Sequence, residues 1–147
     1  MKKILFILLI STQIFAASSF FTLDKVENLS LYISSKNSFI SKAQKNEIKE
    51  KVKTKLQKAG FVFGETDAII FVIKIRAIEV EKMTVVDVEI SLDEDVITHR
   101  KEGVEAFALT YVDQKMIKST QPYEDTMKTL DVLIDKFILL HQDDNEE

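Results

Sequence analysis

The chain has 147 residues, of which 46% are apolar, and its 20 Lys and Arg against 24 Asp and Glu give a formal net charge of −4. This acidic balance argues against nucleic acid as a partner and against electrostatic docking on anionic lipid, although one local patch can still be basic. Cysteine is absent, which excludes disulfides, thiolate zinc sites, a cysteine nucleophile and the lipid-bearing cysteine of a bacterial lipoprotein.

The N-terminal residues 1–18 read MKKILFILLISTQIFAAS, in which two lysines precede an apolar run over residues 4–10 and small residues follow. This pattern is typical of a cleavable bacterial secretory signal peptide. The run is shorter than the roughly 20 apolar residues of a membrane-spanning helix. We therefore expect cleavage after Ala17 or Ser18 and a mature protein that is soluble, periplasmic or secreted, with an uncleaved N-terminal anchor as the alternative.

The rest of the chain is long enough for one hydrophobic core and too short for two ordinary domains. It has no internal repeat and no low-complexity linker. We therefore divide the chain into a signal peptide at 1–18, a single α+β domain at 19–141 and an acidic disordered tail at 142–147.

The first strand and the first helix have clear local signals. Residues 29–34 alternate apolar and polar side chains, which predicts a half-buried strand. Ser41 then opens a capping box with Gln44, and apolar residues follow at helical spacing as far as Gly60, a favourable C-terminal cap. A helix over about 41–59 is the expected result.

A β-hairpin is predicted over residues 68–92. The segments 68–80 and 84–92 are rich in β-branched residues and are joined by a turn at Glu81-Lys82. If Val80 faces Met83, apolar side chains pair on one face and opposite charges pair on the other. The charged pairs of this register are Lys74 with Glu89 and Arg76 with Asp87.

The fourth strand is predicted over Val104–Val112, where the two faces are chemically different. Ala106 and Ala108 lie on one face, and Phe107, Leu109 and Tyr111 lie on the other. Two arrangements are open. Either the aromatic face fills the core, or the alanines lie under closely packed helices and the aromatic face points outward.

Pro122 begins a second helix, because proline is favoured in the first turn and Glu124 and Asp125 suit the positive end of the helix dipole. This helix is expected to run to about Leu140 with a broad apolar face. The element order is then β-α-β-β-β-α. It predicts an α+β two-layer sandwich, with a four-stranded mixed sheet and two helices on one face, and the other face open.

Catalytic and metal-binding signatures are missing from the sequence. His99 and His141 are far apart, and neither stands in a metal-binding spacing. The acidic cluster Asp93–Asp95 lacks the spacing of an EF-hand loop, so it is interpreted as a solvated turn. No G-x-S-x-G or phosphate-binding glycine loop is present. We therefore expect no catalytic, cofactor-binding or metal-binding residue, and a protein that is not an enzyme.

An apolar partner surface is the functional hypothesis that the sequence favours. With the aromatic face of the fourth strand outward, one open sheet face would carry Tyr32, Ile70, Val72, Phe107, Leu109 and Tyr111. Exposed apolar patches of this kind mark binding sites. The expected role is a non-catalytic module that binds an envelope protein or a second copy of itself. The alternative is a periplasmic protein that binds a small ligand or a divalent metal ion near residues 93–95.

Overall fold

The described part of the chain, residues 22–64 and 68–146 of a computed structural model, contains five strands and two helices. The predicted signal peptide at 1–18 lies outside these residues. None of the helices in the described part has the length and apolarity needed to span a bilayer. The elements are β1 (Asn28–Ser35), α1 (Lys42–Lys58), β2 (Val62–Phe63), β3 (Ile69–Val80), β4 (Met83–Ile97), β5 (Glu105–Ser119) and α2 (Pro122–Asn145).

The strands form one mixed sheet in the order β2-β1-β3-β4-β5. β1 runs parallel to β2 and β3, and β3, β4 and β5 form an antiparallel meander. The predicted α+β class, with one mixed sheet and two helices, is confirmed. The predicted strand number of four is wrong, because β2 adds a fifth strand. Its two residues are too few to produce a periodic pattern in the sequence.

The predicted hairpin register is confirmed, with Val80 opposite Met83. Lys74 Nζ lies 2.9 Å from Glu89 Oε1, and Arg76 Nη2 lies 2.7 Å from an Asp87 carboxylate oxygen. The apolar residues of β3 and β4 that alternate with these charges face the helices. Register and burial therefore follow from the same period-two pattern.

The hydrophobic core lies between the sheet and the two helices. Phe137 of α2 is at its centre, with its ring centroid 5.1 Å from that of Phe71, 5.3 Å from that of Tyr111 and 5.5 Å from that of Phe61. Both helices contribute buried residues to this one cluster, so both pack on the same face of the sheet. The helix residues in it are Ile48, Val52, Leu56, Leu130, Leu133, Ile134 and Phe137.

Helix α1 begins and ends as its sequence predicts. Ser41 Oγ accepts a hydrogen bond from the Gln44 backbone N–H, and the Gln44 side chain accepts one from the Ser41 N–H. At the other end Gly60 has a positive φ of 103°, and the Phe61 N–H donates to the Leu56 carbonyl. These contacts satisfy backbone groups that a helix end otherwise leaves without partners.

Replacing Ser41 with alanine is expected to lower the free energy of unfolding by about 1 kcal/mol, because the capping hydrogen bond to Gln44 is lost. Urea denaturation followed by circular dichroism measures the change. Ser38→Ala is the matched control, since Ser38 is exposed and lies before the helix. Equal stability of the two variants would show that the capping box contributes little.

A disordered tail was predicted at 142–147, but α2 continues to Asn145, so residues 142–145 are helical. Asp144 accepts a hydrogen bond from the Leu23 N–H at 2.6 Å, and Asn145 accepts one from the Lys25 N–H at 3.0 Å. Asn145 Nδ2 also donates to the Leu23 carbonyl. Polar residues with no apolar surface to bury are thus ordered by the backbone of a segment about 120 residues away, a contact that local composition does not reveal.

Candidate functional site

The sheet face opposite the helices is termed the open face, because neither described helix covers it. Alternate residues of each strand point to this face. Across its middle, Tyr32 of β1 lies beside Val72, Val72 beside Ser91, and Ser91 beside Val112 of β5. In the next row Ile70 lies beside Asp93 and Asp93 beside Leu109. The open face therefore combines residues of four strands, β1, β3, β4 and β5.

A β-bulge in β5 decides which aromatic side chains reach the open face. Leu92 pairs with Tyr111 and the next residue, Asp93, pairs with Leu109, so Thr110 is an extra residue between them. Such an insertion shifts the alternation of side chains by one position. Odd-numbered residues of β5 therefore point to one face of the sheet before the bulge and to the other face after it. Tyr111 is 2% exposed and contacts the core, whereas Leu109 is 54% exposed and lies on the open face.

The predicted partner surface is corrected at one position. Phe107, 62% exposed, pairs with Asp95 and lies on the open face with Leu109, but Tyr111 does not. Burial and the nearby Asp113 carboxylate raise the pKa of Tyr111 to about 12. Both arrangements predicted for the fourth strand placed Phe107, Leu109 and Tyr111 on one face. Both are wrong on this point, because a one-residue bulge leaves no signal in the sequence.

The remaining predicted surface residues do share the open face. Tyr32, on β1, is 58% exposed. Ile70 is half-buried, and Val72 is buried between its neighbours. Sequence reasoning missed Val112, which is 38% exposed and belongs to the same row as Tyr32 and Val72. The exposed apolar groups thus lie towards the β1 and β5 sides, with short side chains between them.

Four charged side chains occupy the adjoining part of the open face and form a connected network of ion pairs. Arg76 contacts both Asp87 and Glu89, and Lys74 contacts Glu89. Burial alone would raise the pKa of Glu89, but the hydrogen bonds and charges of Lys74 and Arg76 outweigh burial and lower it. The hydrogen bond and charge of Asp87 raise the pKa of Arg76. Two positive and two negative charges cancel, so the network adds no net charge to the face.

The acidic residues 93–95 lie inside β4 rather than in the predicted turn. Alternation along the strand places Asp93 and Asp95 on the open face and Glu94 on the other face. The Ser91 hydroxyl donates to Asp93 at 3.0 Å, and the Thr110 hydroxyl donates to Glu94. All three residues line one depression, but no group of three or more His, Asp or Glu within residues 22–64 and 68–146 is placed to hold a metal ion.

The two histidines have separate surroundings. His99 lies in the exposed turn between β4 and β5, where the Thr98 N–H donates to the Val104 carbonyl. His141 lies in α2, with its ring centroid 4.5 Å from that of Phe61. The structure therefore does not bring them together.

Comparison of the sequence with protein-family models gave no match, and comparison with curated proteins gave none either.

Proposed function

We propose that this chain is an exported, non-catalytic module that binds an envelope protein, or a second copy of itself, through the open face. The observation that carries the proposal is the exposure of Phe107, Leu109 and Tyr32 on a sheet face that no described helix covers. Large apolar side chains exposed on one uncovered face are typical of interaction sites. The neighbouring charge network is internally neutral, whereas Asp93 and Asp95 add negative charge directly beside Leu109 and Phe107.

The proposed periplasmic or secreted location rests on the signal-like pattern of residues 1–18. The intact mass of the protein recovered from a periplasmic fraction tests it. Cleavage after Ala17 or Ser18 gives a first residue of Ser18 or Ser19. Recovery of the uncleaved chain from the cytoplasm would contradict the proposal.

The double substitution Phe107→Ser and Leu109→Ser is expected to weaken the interaction at least about tenfold, because a few buried apolar anchors supply most of the free energy of binding. The fold is expected to persist, since both side chains point away from the core. Light scattering of the purified protein measures self-association. In-cell crosslinking and mass spectrometry identify an envelope partner.

Val132→Ser with Leu139→Ser is the matched control, because these residues have similar exposure, 54% and 59%, and lie on α2. This control is expected to leave the interaction unchanged. If the open-face variant is folded and keeps the oligomeric state and crosslinked partner of the original chain, the proposed surface is wrong.

Binding of a small ligand or a divalent metal ion is the alternative. Asp93 and Asp95 share the open face with Phe107 and line a depression of about 400 Å³. Calorimetry with calcium, magnesium and zinc tests the metal form of this alternative. Heat that is lost in Asp93→Ala with Asp95→Ala would favour it, and no heat from any of the three ions would remove it.

A further inference from the structure

The outer edge of β1 is the basis of a second binding site. The short strand β2 pairs only with Asn28 and Leu29, whereas β1 continues to Ser35. Among the described residues no strand pairs with 30–35 on this side. The Val62 N–H donates to the Glu27 carbonyl at 2.9 Å, so the backbone groups of odd-numbered residues in β1 point to this edge.

The exposed part of this edge lacks the usual barriers to strand pairing. Residues 30–35 read SLYISS, with no charged residue and no proline, and the β1–β3 register is continuous. Charged side chains, proline and bulges are the features that natural proteins use to block an edge strand. No described residue pairs with the N–H and C=O groups of Leu31 and Ile33 on this side, and these groups can form a ladder with an added strand.

A row of lysines on α1 lies along the same edge. Lys45 and Lys49 line a depression of about 240 Å³ with residues 31–33, and Lys49 and Lys53 line one of about 200 Å³ with residues 29–31. The three lysines are four residues apart, which places them on one side of the helix. They form a basic strip on an acidic chain.

Within the described part of the chain, the three lysines of this row form no ion pair. Lys51 and Lys55 of the same helix bridge to α2, with Lys51 Nζ 2.8 Å from an Asp131 oxygen. Lys45, Lys49 and Lys53 have no carboxylate of a described residue within ion-pair distance, and Lys53 Nζ lies 5.7 Å from the Phe63 ring centroid. The positive charge beside the edge is thus available to a ligand.

We propose that this edge binds an extended acidic segment of another polypeptide as an additional β-strand. Backbone pairing with residues 30–35 would supply affinity, and carboxylates beside the lysine row would select the acidic segment. A second copy pairing through the same edge would bring two lysine rows together, and this repulsion disfavours self-association there. This proposal rests on the proposed function in one respect, namely that the chain binds a protein partner. The edge site itself does not include the open face.

The test uses a synthetic peptide of about eight residues that alternates glutamate with valine, which has the length and pattern of a typical strand. Nuclear magnetic resonance of the isotope-labelled chain is expected to show the largest amide shifts at residues 30–35. Lys45→Glu with Lys49→Glu is expected to weaken binding at least about tenfold. Lys115→Glu with Lys118→Glu, which makes the same change of charge at two exposed positions of β5 at the far side of the sheet, is expected to leave affinity within about twofold.

A peptide of the same charge with proline at two central positions separates strand addition from general anion binding, because proline cannot donate to a ladder. It is expected to bind at least about tenfold more weakly. Equal binding of the proline peptide, or lysine-dependent binding of anionic vesicles without amide shifts in β1, would overturn the proposal. So would unchanged affinity in the Lys45→Glu, Lys49→Glu variant.

The open-face variant Phe107→Ser, Leu109→Ser distinguishes this site from the proposed function. It is expected to bind the acidic peptide normally. Loss of peptide binding in that folded variant would place the peptide on the open face and overturn the edge site. If no peptide binds any form of the chain, the edge proposal fails while the open-face proposal is still tested by its own variants.

Discussion

Replacing Phe137 with alanine is expected to lower the free energy of unfolding by about 3–5 kcal/mol, because its ring fills the centre of the core. Phe137 is fully buried, and its ring contacts Phe61, Phe71 and Tyr111. Alanine would remove apolar area from the core and leave a cavity that these three rings cannot all move to fill. It would also remove the edge-to-face contacts, which add to the effect of burial.

Urea denaturation monitored by circular dichroism measures this loss. Leu139→Ala is the matched control, because Leu139 lies on the same helix and its side chain is exposed. It is expected to change the free energy of unfolding by less than about 0.5 kcal/mol. A loss below about 1 kcal/mol for Phe137→Ala would mean that the core is not centred on this ring.

Replacing Glu89 with glutamine is expected to lower the free energy of unfolding at pH 7 by about 1–3 kcal/mol, because hydrogen bonds to a charged acceptor are lost in a nearly buried position. Glu89 accepts from Lys74 at 2.9 Å and from Arg76 at 2.6 Å. Lys74 and Arg76 are partly exposed, so water stabilises their charges when the carboxylate is gone. This keeps the loss below that expected for a fully buried ion pair.

The same contacts give the stability a defined dependence on pH. The pKa of Glu89 is lower in the folded chain than in the unfolded chain. The contribution of Glu89 is therefore complete above the unfolded pKa and is lost as the pH falls through the folded pKa. From about pH 5 downward the original chain is expected to lose more stability than Glu89→Gln, so the two curves converge.

Denaturation at a series of pH values measures this convergence. Glu79→Gln is the control, because Glu79 is exposed on β3 and makes no ion pair with a described residue. Asp131 of α2, whose pKa is also lowered by Lys51 and Lys55 against the effect of burial, contributes equally to all three proteins. Parallel curves for the original chain and Glu89→Gln would contradict the assigned role of the charge network.

The sequence predicted the elements in which several local signals agree. The β3–β4 register followed because apolar alternation and opposite charges select the same pairs, Lys74 with Glu89 and Arg76 with Asp87. The start of α1 followed because Ser41 and Gln44 form a complete capping motif. In both cases the residues that determine the structure are close in sequence.

The features that were missed depend on contacts between distant segments or on a single residue. β2 is ordered by its parallel pairing with the start of β1, and two residues cannot carry a pattern of their own. The last turn of α2 is held by the backbone of residues 23–25. Thr110 changes the side-chain alternation without changing the strand-like composition around it. The sequence therefore predicted most residues of the partner surface. It was wrong at Tyr111, which lies in the core.

The bulge at Thr110 also brings side chains of two different environments close together in one strand. Residues before it, such as Phe107 and Leu109, point outward, and Tyr111 immediately after it belongs to the core. Substitutions at Phe107 or Leu109 therefore change the open face without removing a contact of the Phe137 ring. The chemistry of the outer surface and the stability of the core can thus be varied separately, although neighbouring residues of one strand determine both.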